Sequence, residues 1–156
     1  MVGAVSLSCV ERGSTGAEFV VSDEHKGLVK AVEKQFIGAI WQRCQCHFMR
    51  NLLDKVARSD RAALRAEIRM VFESPDYDRA REAIGDIVLR YEKRYPSVAA
   101  MLEAALDDIL ARFSLPEGHR KRMRTTNMLE RFNQEIKRRT KVVRIFLLVN
   151  PWIRFL

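Results

Sequence analysis

Only two stretches of this chain read as β-strands, and both lie near its start. Ala17, Glu18, Phe19, Val20 and Val21 form a short apolar run that stops at Ser22-Asp23, the pattern of a buried strand. Leu28, Val29, Val32 and Phe36 then fall at helical spacing, and Gly38 breaks that helix. Ala39-Ile40-Trp41-Gln42-Arg43-Cys44 reads as the second strand. Two strands do not make a stable sheet by themselves. The sheet's other members must lie either in the weakly patterned Met1–Gly16 or outside this chain. A strand–helix–strand unit of this length joins parallel neighbours by a right-handed crossover. The expected pair is Phe19–Val21 beside Ile40–Cys44.

Beyond the second strand the chain reads as helical. Leu64, Ile68, Val71 and Phe72 keep one helix face apolar. Ser74-Pro75 reads as an N-cap with proline at the first helical position. The helix behind it carries Tyr77, Ala80, Ile84, Ile87, Val88 and Tyr91 on one stripe. Pro96 ends that helix and opens another, with Val98, Met101, Leu102, Ala105, Ile109 and Phe113. Ser114 to Gly118 reads as a loop. A last helix, from about Asn127 to Thr140, is expected to bury Leu129, Phe132 and Ile136. The fold class is α/β and helix-rich. The chain's 156 residues suffice for one domain, and 47% apolar content supports a core, with only 8% aromatic making it aliphatic.

The net charge of +8 is concentrated. Between Gly118 and Arg144 ten Lys or Arg face two Glu, leaving eighteen of each sign elsewhere. Such a stripe attracts polyanions, nucleic acid above all; a solvated helix face with snorkelling side chains is the plainer alternative. Three cysteines, Cys9, Cys44 and Cys46, cannot complete a disulfide framework. No secretory signal and no apolar run of membrane-spanning length occur, so a soluble, cytoplasmic protein is expected.

Two carboxylates are candidates for chemistry. Asp23 follows the first strand in Val-Val-Ser-Asp-Glu-His, and the carboxyl end of a strand faces the crevice of an open α/β sheet. Alternatively, Ser22 or Asp23 caps the next helix. Glu130, Asn133 and Lys137 lie at i, i+3 and i+7 on the last helix, one face with a carboxylate, an amide and an ammonium. Glu130 could ligate a metal ion while Arg131, Lys137, Arg138 and Arg139 hold phosphates; a routine amphipathic helix is the alternative. Cys44-Gln45-Cys46-His47 raises zinc, but a structural site needs four ligands, usually as two pairs, and His25 and His119 are isolated. Cys44 and His47 are expected to pack or hydrogen-bond near the second strand's end.

Three stretches together resemble the bacterial transposases of the Mutator family of insertion sequences. They are Val-Val-Ser-Asp-Glu-His-Lys-Gly-Leu (20–28), Trp-Gln-Arg-Cys-Gln-Cys-His-Phe-Met-Arg-Asn-Leu (41–52) and Thr-Asn-Met-Leu-Glu-Arg-Phe-Asn-Gln-Glu-Ile-Lys-Arg-Arg-Thr (126–140). The resemblance spans roughly residues 6 to 146. It implies a partial ribonuclease H-like fold with an all-helical insertion, here approximately 56–118, before a basic catalytic helix at approximately 127–140. The whole of 1–156 then reads as a single partial catalytic domain. The resemblance makes Asp23 the second aspartate and Glu130 the glutamate of a metal-binding DDE triad. It also matches Cys44 and His47 to the Cys-x-x-His signature shared with eukaryotic relatives. The implied cofactor is a divalent metal, magnesium. The implied partner is DNA, as element ends and target, held by Arg120, Lys121, Arg122, Arg124, Arg131, Asn133, Lys137, Arg138 and Arg139. A full-length transposase or a second copy of the chain is a further implied partner, and DNA-bound protein would be nucleoid-associated.

The sequence departs from the family's pattern in two places. No Asp precedes Asp23, so the family's first aspartate and its N-terminal DNA-binding region are both expected to be missing from this chain. After Ile145-Phe146 the sequence no longer looks like the family. The expectation is a truncated transposase, inactive alone; the alternative is a non-catalytic DNA-binding or regulatory protein derived from one.

Overall fold

The computed structural model describes Gly13 and residues 16–142 of the chain. Strand β1 (Phe19–Ser22) pairs in parallel with β2 (Ile40–Arg43), Phe19 opposite Ile40 and Ser22 opposite Arg43. Helix α1 (Lys26–Gln35) makes the crossover, and Gly38 turns the chain into β2 with φ +85°, a conformation costly to any residue with a Cβ. This is the expected strand pair. Phe19, Val20 and Val21 are only half-buried, against the expectation of a buried strand. Among the described residues β2 alone pairs with β1.

The helices follow in order: α2 (Gln45–Leu53), α3 (Arg61–Glu73), α4 (Tyr77–Tyr91), α5 (Pro96–Ala104) and α6 (Leu106–Leu110). A 3₁₀ turn at Ala111–Ser114, α7 (Glu117–Arg120) and α8 (Asn127–Val142) complete the described chain. Phe48, Leu52, Leu64, Ile68, Ile84, Leu102 and Ile109 are all fully buried in one core built from α2 to α6. Each such side chain contributes roughly 1.5–3 kcal/mol on leaving water.

Three local expectations need correction. Ser74 is the C-cap of α3 and donates its hydroxyl to the Met70 carbonyl. The N-cap of α4 is Asp76, whose carboxylate accepts from the Arg79 N–H at 2.8 Å. An ionised acceptor makes the stronger cap bond, and it leaves Pro75 outside the helix. The stripe from Val98 to Phe113 is not one helix: Ala105 leaves helical geometry at φ −103°, ψ 2°, and the chain restarts as α6. Part of the expected loop from Ser114 to Gly118 is helical, since α7 begins at Glu117.

At its other end α6 stops at Leu110, and a helix end leaves its last carbonyls without helical partners. The Ile109 carbonyl accepts instead from the side-chain amides of Gln42 and Gln45, both at 3.0 Å. Gln42, fully buried, also donates to the Arg43 carbonyl and accepts from the Arg112 backbone N–H at 2.7 Å. These bonds seat the end of β2 on the helical part. The chain forms two compact units, Met1–Thr126 and Asn127–Leu156, and each is described by itself.

Candidate functional site

At the carboxyl end of β1, Ser22 is buried and accepts from the Trp41 indole N–H at 2.8 Å. Its own hydroxyl donates to the Asp23 carbonyl at 2.9 Å. The chain therefore turns out of the strand with the backbone of Asp23 fixed and its side chain exposed. Among the described residues that carboxylate makes no hydrogen bond or ion pair. Neither Ser22 nor Asp23 caps α1: the cap position is His25, which makes no side-chain cap bond. The capping alternative fails because the helix starts three residues beyond Asp23.

Glu24 turns the other way and pairs with Arg43, whose side chain is 4% exposed. The Arg43 guanidinium also lies 4.8 Å over the Phe48 ring. Burial lowers the pKa of Arg43, opposed by the charges of Glu24 and Asp108. Burial raises the pKa of Asp108, opposed by Arg43. A strand-end arginine between two carboxylates is a feature that sequence reasoning missed; its signal was a charged residue inside an otherwise strand-like run.

Cys44 is fully buried at the N-cap of α2. Its backbone N–H donates to the Ser22 carbonyl at 2.7 Å, and its sulfur lies 3.4 Å from both the hydroxyl and the N–H of Thr126. The Gln45 N–H donates to the Arg124 carbonyl at 3.0 Å. Cys44 thus packs and hydrogen-bonds at the end of β2, as expected, and ties down the residues that precede α8 in the chain. His47 is half-buried in the first turn of α2. Among the described residues no three His, Cys, Asp or Glu gather into a metal-holding group.

The basic residues divide. Arg120 faces inward, donating to the carbonyls of Leu115, Pro75 and Phe113 and lying over the Phe113 ring. Lys121 and Arg122 are exposed, and Arg124 is half-buried.

Within the second unit, α8 presents Glu130, Asn133 and Lys137 at helical spacing on one face, with Arg131 exposed. Glu135 accepts a two-pronged bond from Arg138, both contacts 2.8 Å, and a third from Arg139 at 2.8 Å. These bonds bring the Glu135 carboxyl down to about 2. Leu129, Phe132 and Ile136 are 64%, 63% and 40% exposed, so the expected burial of this stripe is overturned. The helix is amphipathic as its spacing predicts. Asp23 belongs to the first unit and Glu130 to the second.

A parallel strand pair with an exposed carboxylate at the end of β1 and a Cys-x-x-His turn at the end of β2 defines a class, a helix-rich α/β protein. The sequence matches the family described as Transposase, Mutator family, over residues 5–156. This chain belongs to that family. It is 42% identical over 135 residues to a transposase for insertion sequence element ISRM5 from Rhizobium meliloti, covering 86% of this chain and 34% of the relative. It is 37% identical over 138 residues to the transposase for IS256 in transposon Tn4001 of Staphylococcus aureus, covering 87% and 35%. A transposase for IS1081 from Mycobacterium tuberculosis is 34% identical over 144 residues, covering 88% and 33%. The chain spans about a third of the length of these curated relatives. The family match continues past Phe146 to Leu156, which corrects the expectation that the family's pattern ends there. Among the described residues no helix is long and apolar enough to cross a membrane.

Proposed function

We propose that this chain supplies the second aspartate, Asp23, and the glutamate, Glu130, of a DDE active site in an insertion-sequence transposase built on a ribonuclease H-like fold. The observation that carries this reading is the state of Asp23 in a chain of this family. Its carboxylate is exposed, without a hydrogen bond or ion pair among the described residues, at the carboxyl end of a parallel strand. It has no structural duty there. An uncommitted carboxylate is a hard oxygen ligand that suits magnesium, which keeps several waters and needs few protein ligands. Asp23 and Glu130 would hold the metal, which would supply activation of a water or a DNA 3′-hydroxyl and charge stabilisation at the leaving oxygen.

The chain's own residues position the site. Ser22 and Trp41 fix the backbone of Asp23. Cys44 holds Thr126 at the entrance to the helix of Glu130. Lys121, Arg122, Arg131 and Lys137 bind phosphates of element ends and target DNA in the cytoplasm, without reading sequence. With Asp23 and Glu130 as the two carboxylates assigned to the triad, this chain taken by itself is expected to bind DNA without cutting or joining it.

Salt-dependent binding and strand cleavage on a substrate carrying element ends test this. Weak, non-specific binding that falls steeply with salt is expected, with no cleavage in magnesium or manganese. Metal-dependent cleavage abolished by Asp23→Ala would overturn the inactivity while supporting the site. Absence of binding at low salt would overturn the DNA-binding reading.

A further inference from the structure

Outside residues 118–144 the charges balance in sequence, and nothing there invites a polyanion. In space they segregate. Two cavities, of about 550 and about 350 Å³, border α2 and α3 and share Cys46, Met49 and Arg65 in their walls. The larger adds Arg69 of α3 and Arg124; the smaller adds Arg50 and Arg61. Against these five arginines stand Glu73 in one wall and Asp54 in the other, and Asp54 already faces Arg61 at 3.6 Å. The guanidiniums of Arg65, Arg69 and Arg124 make no hydrogen bond or ion pair among the described residues. Nearby Arg112 is pushed down to about 10, first by burial and then by the positive charges of Arg124 and Arg120. Positive potential on this side of the molecule is left unneutralised.

We propose that the joined cavities form a phosphodiester track, a binding site for the sugar-phosphate backbone of a single DNA strand. Arg65 sits at the junction, with Arg69 and Arg124 holding further phosphates. A guanidinium presents paired N–H donors that match phosphate oxygens, so arginine suits this task better than lysine. Gln45 points to a nucleotide ligand over a bare anion. It lines the larger cavity, is 2% exposed, and its side-chain oxygen is buried without a hydrogen-bond partner. A phosphate cannot satisfy an acceptor, whereas the exocyclic amine of a base can, and a buried acceptor gains from being paired. The track deepens the proposed DNA-binding function and rests on it. Apart from Arg124, its arginines lie outside the basic segment that leads into α8.

The full chain is titrated with a labelled single-stranded oligonucleotide, and with the matching duplex, over a range of salt. Arg65→Gln/Arg69→Gln replaces two exposed side chains, and its thermal melt should match that of the parent chain. On the single strand it should bind on the order of ten-fold more weakly at low salt, and its log–log salt slope should fall by about 1.4, since each phosphate contact contributes about 0.7. Arg81→Gln, on the exposed face of α4, should change neither. Unaltered binding by the α3 variant, with weakened binding by Lys121→Gln/Arg122→Gln, overturns the track and leaves the DNA-binding function standing. A loss confined to the duplex overturns the single-strand assignment. No binding by the parent chain overturns both. Independently, Cys46 lies exposed at the junction of the cavities, so bound strand should slow its alkylation, followed by mass per cysteine. An unchanged rate under saturating strand also overturns the track.

Discussion

Asp23 and Glu135 are both carboxylates on helix-bearing segments, and their surroundings assign them opposite duties. Asp23 has no protein partner among the described residues, while Glu135 is clasped by Arg138 and Arg139. Those bonds favour the charged form and depress the Glu135 carboxyl to about 2 from an ordinary value of 4.5. A depressed folded value means the clasp's contribution is complete above about pH 4.5 and is lost as pH falls toward about 2. Following the Glu135 side-chain carboxyl by NMR should show a midpoint near 2. In Arg138→Gln/Arg139→Gln the midpoint should return toward 4.5. A parent midpoint already at 4.5 would mean the clasp does not persist in solution. Because the same two arginines are candidates for DNA phosphates, any phosphate they hold competes with Glu135. The position of Asp23 was legible in the sequence, since an apolar run ending at Ser-Asp marks a strand end. Its freedom from capping was not, because that depended on where the next helix begins.

At the scale of elements, both strands, the crossover helix and most apolar stripes were legible from periodicity, which records burial directly. Ser74 was misread because a cap is chosen by competition among neighbours, and Asp76 offers the stronger acceptor two residues later. The break at Ala105 left no mark in the apolar pattern, because Leu102 before it and Ile109 after it are both buried. Where α6 ends is understood only with Gln42 and Gln45 in place, since their amides take up the Ile109 carbonyl of its last turn. Gln42→Leu keeps the volume but leaves the Arg112 N–H unpaired and removes one donor from Ile109. The cost should be about 1–3 kcal/mol, the penalty for a buried polar group left unsatisfied. Gln45→Leu should cost less, as Gln42 still serves that carbonyl. Urea denaturation of the two variants checks the order, and a Gln42 variant as stable as its parent would show the network to be dispensable.

For the whole molecule, the sequence revealed one basic segment and hid the other basic surface. The arginines lining the two cavities come mostly from α2 and α3, where acids dilute them in sequence and only folding separates the two; Arg124 comes from the basic segment itself. The apolar core shows the reverse: it is contiguous in the chain, from Phe48 to Leu110, and built from consecutive helices. Local contacts of that kind close quickly. Ile68→Val and Ile84→Val should therefore slow refolding, while Gln42→Leu should mainly hasten unfolding. Stopped-flow chevrons separate the two effects, and slower refolding of the Gln42 variant would place the strand end in the folding nucleus instead. The clasp on Ile109 also orders events during synthesis. Gln42 leaves the ribosome 67 residues ahead of the carbonyl that receives it. At roughly 5–20 residues per second, that is a wait of about 3 to 13 seconds. The nascent strand pair must pass that interval with its buried amide still facing water, so it is made before the helical core and finished only after it.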